Sequence, residues 1–283
     1  MLLGLIYRSK QRRQEYVVPS LIQKQLILRR PFPIGWKKNS VKKNEDMVRV
    51  YLSPVDKVNK PSLRYLQVQD FFVLGSGIPW TFAYILYARQ ANIDKSYGMP
   101  LIPLCANIAW EFIYGVIHPN SLGQVISFVP WLIADVPIVY WTLKHGPSKW
   151  EQAPLVADNL GLILAVGIAM MLAMHLAFRR SCKNIEDGPF WSAWVCQLLI
   201  SCGSVMHLMC RNETSGHSWG IWVCRWLGTL SAISLFAWRY AHYPKDYPMA
   251  AKPMALFIFI VSEAADLIYP FVYASLESKH GIV

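Results

Sequence analysis

Seven long apolar stretches follow one another from residue 71 to residue 276: 71–88, 100–118, 124–143, 157–177, 190–210, 217–238 and 254–276. A helix that crosses about 30 Å of hydrocarbon needs roughly 20 mostly apolar residues, at a rise of about 1.5 Å each. Inside lipid its backbone must also satisfy every N–H and C=O internally. The stretches have about that length. Polar or proline-containing connectors such as RQANIDKSYGMP, KHGPSKWEQAP, RRSCKNIEDGP and RYAHYPKDYPMAAKP separate them. The pattern predicts an all-α, polytopic integral membrane protein, a bundle of seven transmembrane helices. A large soluble helical protein would need seven consecutive core helices of spanning length, and the pattern argues against it. No internal repeat of the kind that marks many transporters is visible.

Charge divides the chain in two. Residues 1–69 hold fifteen Lys/Arg against four Asp/Glu, which accounts for the whole net charge of +11 and leaves the apolar remainder neutral. The expected organisation is a basic, largely disordered cytoplasmic tail over 1–69, a membrane domain over 70–277 and a short carboxyl-terminal tail over 278–283. The Lys/Arg excess on the amino-terminal side favours a cytoplasmic amino terminus and a lumenal carboxyl terminus. Such an arm reads first as a solvated basic segment or an over-extended gene model, with attraction to the anionic cytoplasmic leaflet as its functional alternative. The partner expected for the chain is the lipid bilayer, and no nucleic acid. The opening MLLGLIY is followed directly by RSKQRRQEY, too short an apolar run and in the wrong order for a signal peptide. All six cysteines lie in or beside the apolar stretches without a C-x-x-C pair, so they read as small core residues, not a zinc site or a disulfide framework.

Against this background the intramembrane acids stand out. Placing a carboxylate at the bilayer centre costs about 2.5–3.5 kcal/mol on insertion scales, yet Glu111, Asp135, Glu263 and Asp266 all fall inside spans. His175, His207 and Arg225 read as packing partners, and Asp158 as a helix-terminal group. Asn107, Glu111 and Tyr114 recur at i, i+4 and i+7, so they share one face of the second span. Ser262, Glu263, Asp266, Tyr269 and Pro270 form a stripe on the seventh. Asn107 and Tyr114 are placed to hydrogen-bond Glu111 or a substrate oxygen, Tyr269 to do so for Asp266, with Asp135 and Glu263 as network partners. Trp110, Trp131 and other aromatics crowd the same spans. Acids inside an aromatic-lined apolar cavity suit carbocation chemistry, because ring faces stabilise cations without attacking them.

The runs DKSYGMPLIPLCANIAWEFIYG and SEAADLIYPFVY resemble the membrane-bound terpene cyclases of fungal meroterpenoid and indole-diterpene (paxilline-type) biosynthesis. The likeness extends from about Pro61 to Leu276 and includes FFVLGSG before the first span; the long basic amino-terminal extension departs from the pattern. The resemblance implies that Glu111 and Asp266 are the essential acids. It implies an enzyme of lyase or isomerase type that protonates the terminal epoxide of a farnesyl- or geranylgeranyl-bearing aromatic, pyrone or indole. Neither a metal nor another cofactor is expected, and the sequence carries no D-D-x-x-D, D-x-D-D or N-D-x-x-D motif. The implied setting is secondary metabolism at the endoplasmic reticulum membrane, downstream of a prenyltransferase and an epoxidase of the same pathway. Two other classes remain open: a proton-coupled carrier of a hydrophobic metabolite, which also needs intramembrane carboxylates, and a seven-span receptor or scaffold.

Overall fold

The computed structural model describes residues 52–182 and 186–279. The expected basic tail falls outside the described residues up to residue 51, as do residues 280–283 of the expected carboxyl-terminal tail. Among the described residues the regular structure is helical: α1 (Pro54–Asn59), α2 (Leu63–Ile93), α3 (Leu101–Phe112), α4 (Leu122–His145), α5 (Pro154–Asp158), α6 (Leu160–Ser181), α7 (Asp187–Arg211), α8 (Trp219–His242) and α9 (Pro253–Lys279). The helix starts are written in the sequence. Ser62, Ser121 and Ser218 each accept a hydrogen bond from a backbone N–H of the first turn, and Ser53 forms a capping box with Asp56.

Six of these helices (α2, α4, α6, α7, α8 and α9) are long and apolar enough to cross a membrane. The expected second span is different. It is the apolar but shorter helix Leu101–Ile117, whose last turn, Ile113–Ile117, widens into a π-helix before His118 and Pro119 end it. Prolines bound it on both sides, Pro100 at its N-cap and Pro119 beyond its end, which is why it cannot lengthen in either direction. The expected tail boundary at residue 69 falls inside α2. Upstream of α2, Asp56 accepts from Gln69, Gln69 accepts from Arg239, and Ser53 meets the Tyr247 hydroxyl at 3.1 Å, which pins α1 to the bundle.

The packing closes a ring. α2 lies along α8 and α4, α4 along α3, α3 along α6 and α7, α6 along α7, and α9 along both α7 and α8. Large apolar side chains cover the outside, among them Phe71, Leu122, Ile133, Ile260 and Phe271. That is the surface of a multi-pass membrane protein, which lipid and not water covers.

At the end of the bundle where α2 turns into α3 and α7 into α8, the loops are tied by polar contacts. Arg211 donates to the Tyr97 carbonyl and the Ser96 hydroxyl, each at 2.7 Å, and also contacts Glu213, which pairs with Lys149. His217, in the α7–α8 loop, is held well below the usual histidine range, first by burial and then by His207, Arg211 and Arg225. It therefore stays neutral and bridges the Tyr269 hydroxyl at 3.0 Å and His207 at 3.1 Å. Two backbones meet here without side chains between them. A Cβ on Gly98 would lie 1.8 Å from the Gly216 carbonyl oxygen, and Gly216 itself has φ +83°. Gly98→Ala should therefore force the loops apart and lower the thermal midpoint of the detergent-solubilised protein by several degrees or abolish its accumulation. Gly161→Ala, whose Cβ meets only a Leu143 methyl at 3.8 Å, should leave the midpoint unchanged or raise it slightly.

Candidate active site

A half-open cavity of about 250 Å³ lies between α2, α3, α4, α7 and α8. Its wall is aromatic: Trp80, Tyr84, Trp110, Phe128, Trp131, Phe190, Trp194 and Phe236 all line it. The indole N–H groups of two of these are occupied behind the wall. Trp131 donates to Thr81 at 2.8 Å and Trp110 to Ser192 at 3.1 Å. The rings hold one another as well, Tyr84 stacked on Trp131 with centroids 6.1 Å apart and Phe128 wedged between Trp110 and Trp131. Such a wall presents π-faces and few nucleophiles.

Glu111 breaks that wall. It lies on the last turn of α3 before the π-helix, a kind of irregularity frequent at functional sites. Its carboxyl is almost fully buried, lines the cavity and accepts a short hydrogen bond from the Tyr84 hydroxyl; Asn107, one turn earlier, donates to that same hydroxyl at 3.3 Å. The second oxygen, Oε2, has no hydrogen-bond partner among the described residues. Asp135 of α4, equally buried, lies within electrostatic reach of Glu111. Neither carboxyl has a cation beside it among the described residues.

Asp266 has the opposite surroundings. It does not line the cavity but sits on α9 behind α7 and α8, fully buried, with the Arg225 guanidinium at 2.5 Å and the Ser201 hydroxyl at 2.7 Å. Arg225 extends further, donating to Ser204 of α7 and, at 3.1 Å, to Tyr87 of α2. A carboxylate paired in this way has no proton to give.

The site residues read from the sequence thus separate. Asn107, Trp110, Glu111 and Trp131 come together at the cavity, with Asp135 beside them. Tyr114 is buried against Trp110 and makes no hydrogen bond to Glu111; Tyr84 of α2 holds that place instead. Tyr269 bonds His217 and not Asp266, and its ring lies 5.4 Å from the Arg225 guanidinium. Glu263 accepts from the Trp226 indole at 3.0 Å, away from the cavity. Glu111 and Asp266 do not share one cavity. Spacing along a single helix gave no sign of Tyr84; the available signal was a tyrosine one turn after Trp80 and three residues after Thr81 in an otherwise apolar span.

At the other end of the cavity, Glu186 and Arg239 contribute polar lining. Both are largely buried. The cavity therefore has an acid at one end, aromatic walls, and a second polar end where α7 begins and α8 closes.

Residues 55–279 match the model of the Pyr4-like transmembrane terpene cyclases. The chain is 57% identical over 228 residues to the Pyr4-family terpene cyclase mfmH of Annulohypoxylon moriforme, covering 81% of this chain and 94% of that one. It is 41% identical to terpene cyclase macJ of Penicillium terrestre, over 74% of this chain and 82% of the relative. With terpene cyclase pyr4 of Aspergillus fumigatus it shares 31% identity, over 71% and 84% respectively. No solved structure matches.

Three outcomes follow from the geometry. Tyr84→Phe removes the donor that Glu111 uses and should lower turnover by roughly one to two decades, the scale of a lost positioned donor. Tyr114→Phe should stay within about threefold of wild type, measured on protein normalised by immunoblot. Asp266→Asn strands the Arg225 guanidinium and should cost about 3–5 kcal/mol of stability. Thermal melts in detergent check this, and a midpoint equal to wild type would show that the pair does not hold the helices together.

Proposed function

We propose a reaction for a chain that belongs to the Pyr4-like transmembrane terpene cyclases: Glu111 protonates the terminal epoxide of a prenylated aromatic, pyrone or indole and so starts a polyene cyclisation. The observation that carries the reading is Glu111, a buried carboxyl that opens onto an aromatic-walled cavity with no cation beside it among the described residues and with the buried Asp135 behind it. At rest the pair is neutral. Tyr84 donates to Oε1, which leaves the proton on Oε2 for the epoxide oxygen. As that proton transfers, the C–O bond breaks and the chain's alkenes attack in turn, each forming a C–C bond and passing the positive charge along. The new Glu111 carboxylate keeps the Tyr84 hydrogen bond and gains one from the protonated Asp135, so charge created by the transfer is met by donors already in place.

The walls supply the rest. The faces of Trp80, Trp110, Trp131 and Trp194 meet migrating charge with cation–π attraction, and their shape holds the chain folded, so ring closure is intramolecular and ordered. Loss of a proton from the last cation, or its capture by a hydroxyl of the head group, ends the cascade and returns a proton to the acid pair. Product and substrate are then isomers. The lipophilic chain lies toward Glu111 and the polar head toward Glu186 and Arg239. Substrate reaches this site from the bilayer, in our reading that of the endoplasmic reticulum, after a prenyltransferase and an epoxidase have made it.

The test is Glu111→Gln, which keeps size and polarity but has no acidic proton. Microsomes holding this variant, given the terminal epoxide of a farnesylated phenol, should accumulate the uncyclised epoxide while wild-type microsomes convert it. Cyclisation by the amide variant at near the wild-type rate would remove Glu111 from the role of proton donor.

A further inference from the structure

Behind the cavity wall runs a chain of three side chains whose direction is fixed. Asp266 is an ionised acceptor because Arg225 lies 2.5 Å from its Oδ1. The only proton on the Ser201 hydroxyl is therefore committed to Oδ2, at 2.7 Å. What Ser201 can offer in any other direction is lone pairs. Gln197, one turn earlier on α7, must then meet Ser201 with its N–H₂ group, at 2.9 Å, and not with its oxygen. The usual ambiguity between the two ends of a glutamine amide is thus settled by chemistry. Gln197 lines the cavity between Ala193 and Ile200, on the same face of α7. Its nitrogen is bound to Ser201, and its carbonyl oxygen has no hydrogen bond among the described residues.

We infer that Gln197 is a catalytic residue whose amide oxygen, aimed into the cavity by Asp266 through Ser201, stabilises the carbocations of the cascade. The inference rests on the cyclase reading above and deepens it. The negative end of a fixed dipole facing a passing cation lowers its energy without the nucleophilicity of a carboxylate, which would trap it. An acid one helix removed from the cavity thereby acts on the reaction: Asp266 and Ser201 are positioning residues, and of these three side chains only Gln197 touches substrate. Reversal of the relay, with the N–H₂ group turned inward, would place the positive end against the cation.

The experiment uses full-length protein in microsomes with the terminal epoxide of a farnesylated phenol as probe. Gln197→Leu and Ser201→Ala should each lower kcat ten- to a hundredfold with KM changed less than threefold. Each should also raise the share of prematurely ended, less-cyclised products, a readout that loss of packing alone would not move. Because both act through one chain, the double variant should be no slower than the slower single. A Gln197→Leu protein with wild-type kcat and product spectrum, or losses that multiply in the double variant, would overturn the inference while leaving the Glu111 reading intact. Conversion of the epoxide by wild type is the arm that tests the cyclase reading itself. The same cycle read as thermal midpoints in detergent needs no substrate. Non-additive shifts support a Gln197–Ser201 link, and strictly additive ones overturn it.

Discussion

One guanidinium joins four helices of this bundle. Arg225 leaves α8, pairs with Asp266 of α9, and donates to Ser204 of α7 and Tyr87 of α2. In an apolar body each of these polar groups would be costly alone, and lipid gives no hydrophobic drive to press helices together. Collected around one cation they bond to one another through its two terminal nitrogens, and that bonding is possible only when the four helices stand in this arrangement. The wall formed by α7 and α8 is therefore held from outside, by α9, and the cavity within needs no polar groups of its own for cohesion.

That division of labour leaves the cavity free for aromatic rings and for an acid without a cation. Had Arg225 faced Glu111, that carboxyl too would stand in an ion pair. The bundle separates its charges so that the cation holds Asp266 as a carboxylate on one side of α7. On the other side Glu111 and Asp135 have only each other and Tyr84. A carboxyl stands at both places, and its partners differ.

How much of this was legible in the sequence follows from what a helical repeat can report. Apolar runs locate helices, and the acids stand out inside them because lipid makes them costly. The i, i+4 spacing put Asn107 and Glu111 on one face, where they are indeed linked through Tyr84. The same spacing says nothing about which other helix that face meets. Tyr84 and Arg225 reach their partners across helices 27 and 41 residues apart in sequence, respectively, so no local pattern pairs them. Tyr114 shows the converse limit: it follows Glu111 through a π turn, and the i+7 phase read from an α-helix does not carry through the wider turn. Joining Glu111 to Asp266 in one cavity failed for the same reason as missing Tyr84. Faces were known, neighbours were not.

The short α3 has a consequence for the bilayer itself. Leu101–Ile117 rises about 25 Å at about 1.5 Å per residue, less than the roughly 30 Å of hydrocarbon that the longer helices match. Ile102, Phe112, Val116 and Ile117 are exposed along it, so lipid tails pack directly against this shorter segment. Hydrophobic mismatch of that kind is relieved by thinning of the adjacent leaflets or by tilt, at a modest cost per ångström. Where the membrane thins, headgroups and their water are drawn toward the end of the helix that carries Glu111. An amphiphile with its head at the interface then needs to sink its tail only a short way to bring the far end of the chain to the acid. The shape of the protein thus extends into the lipid around it.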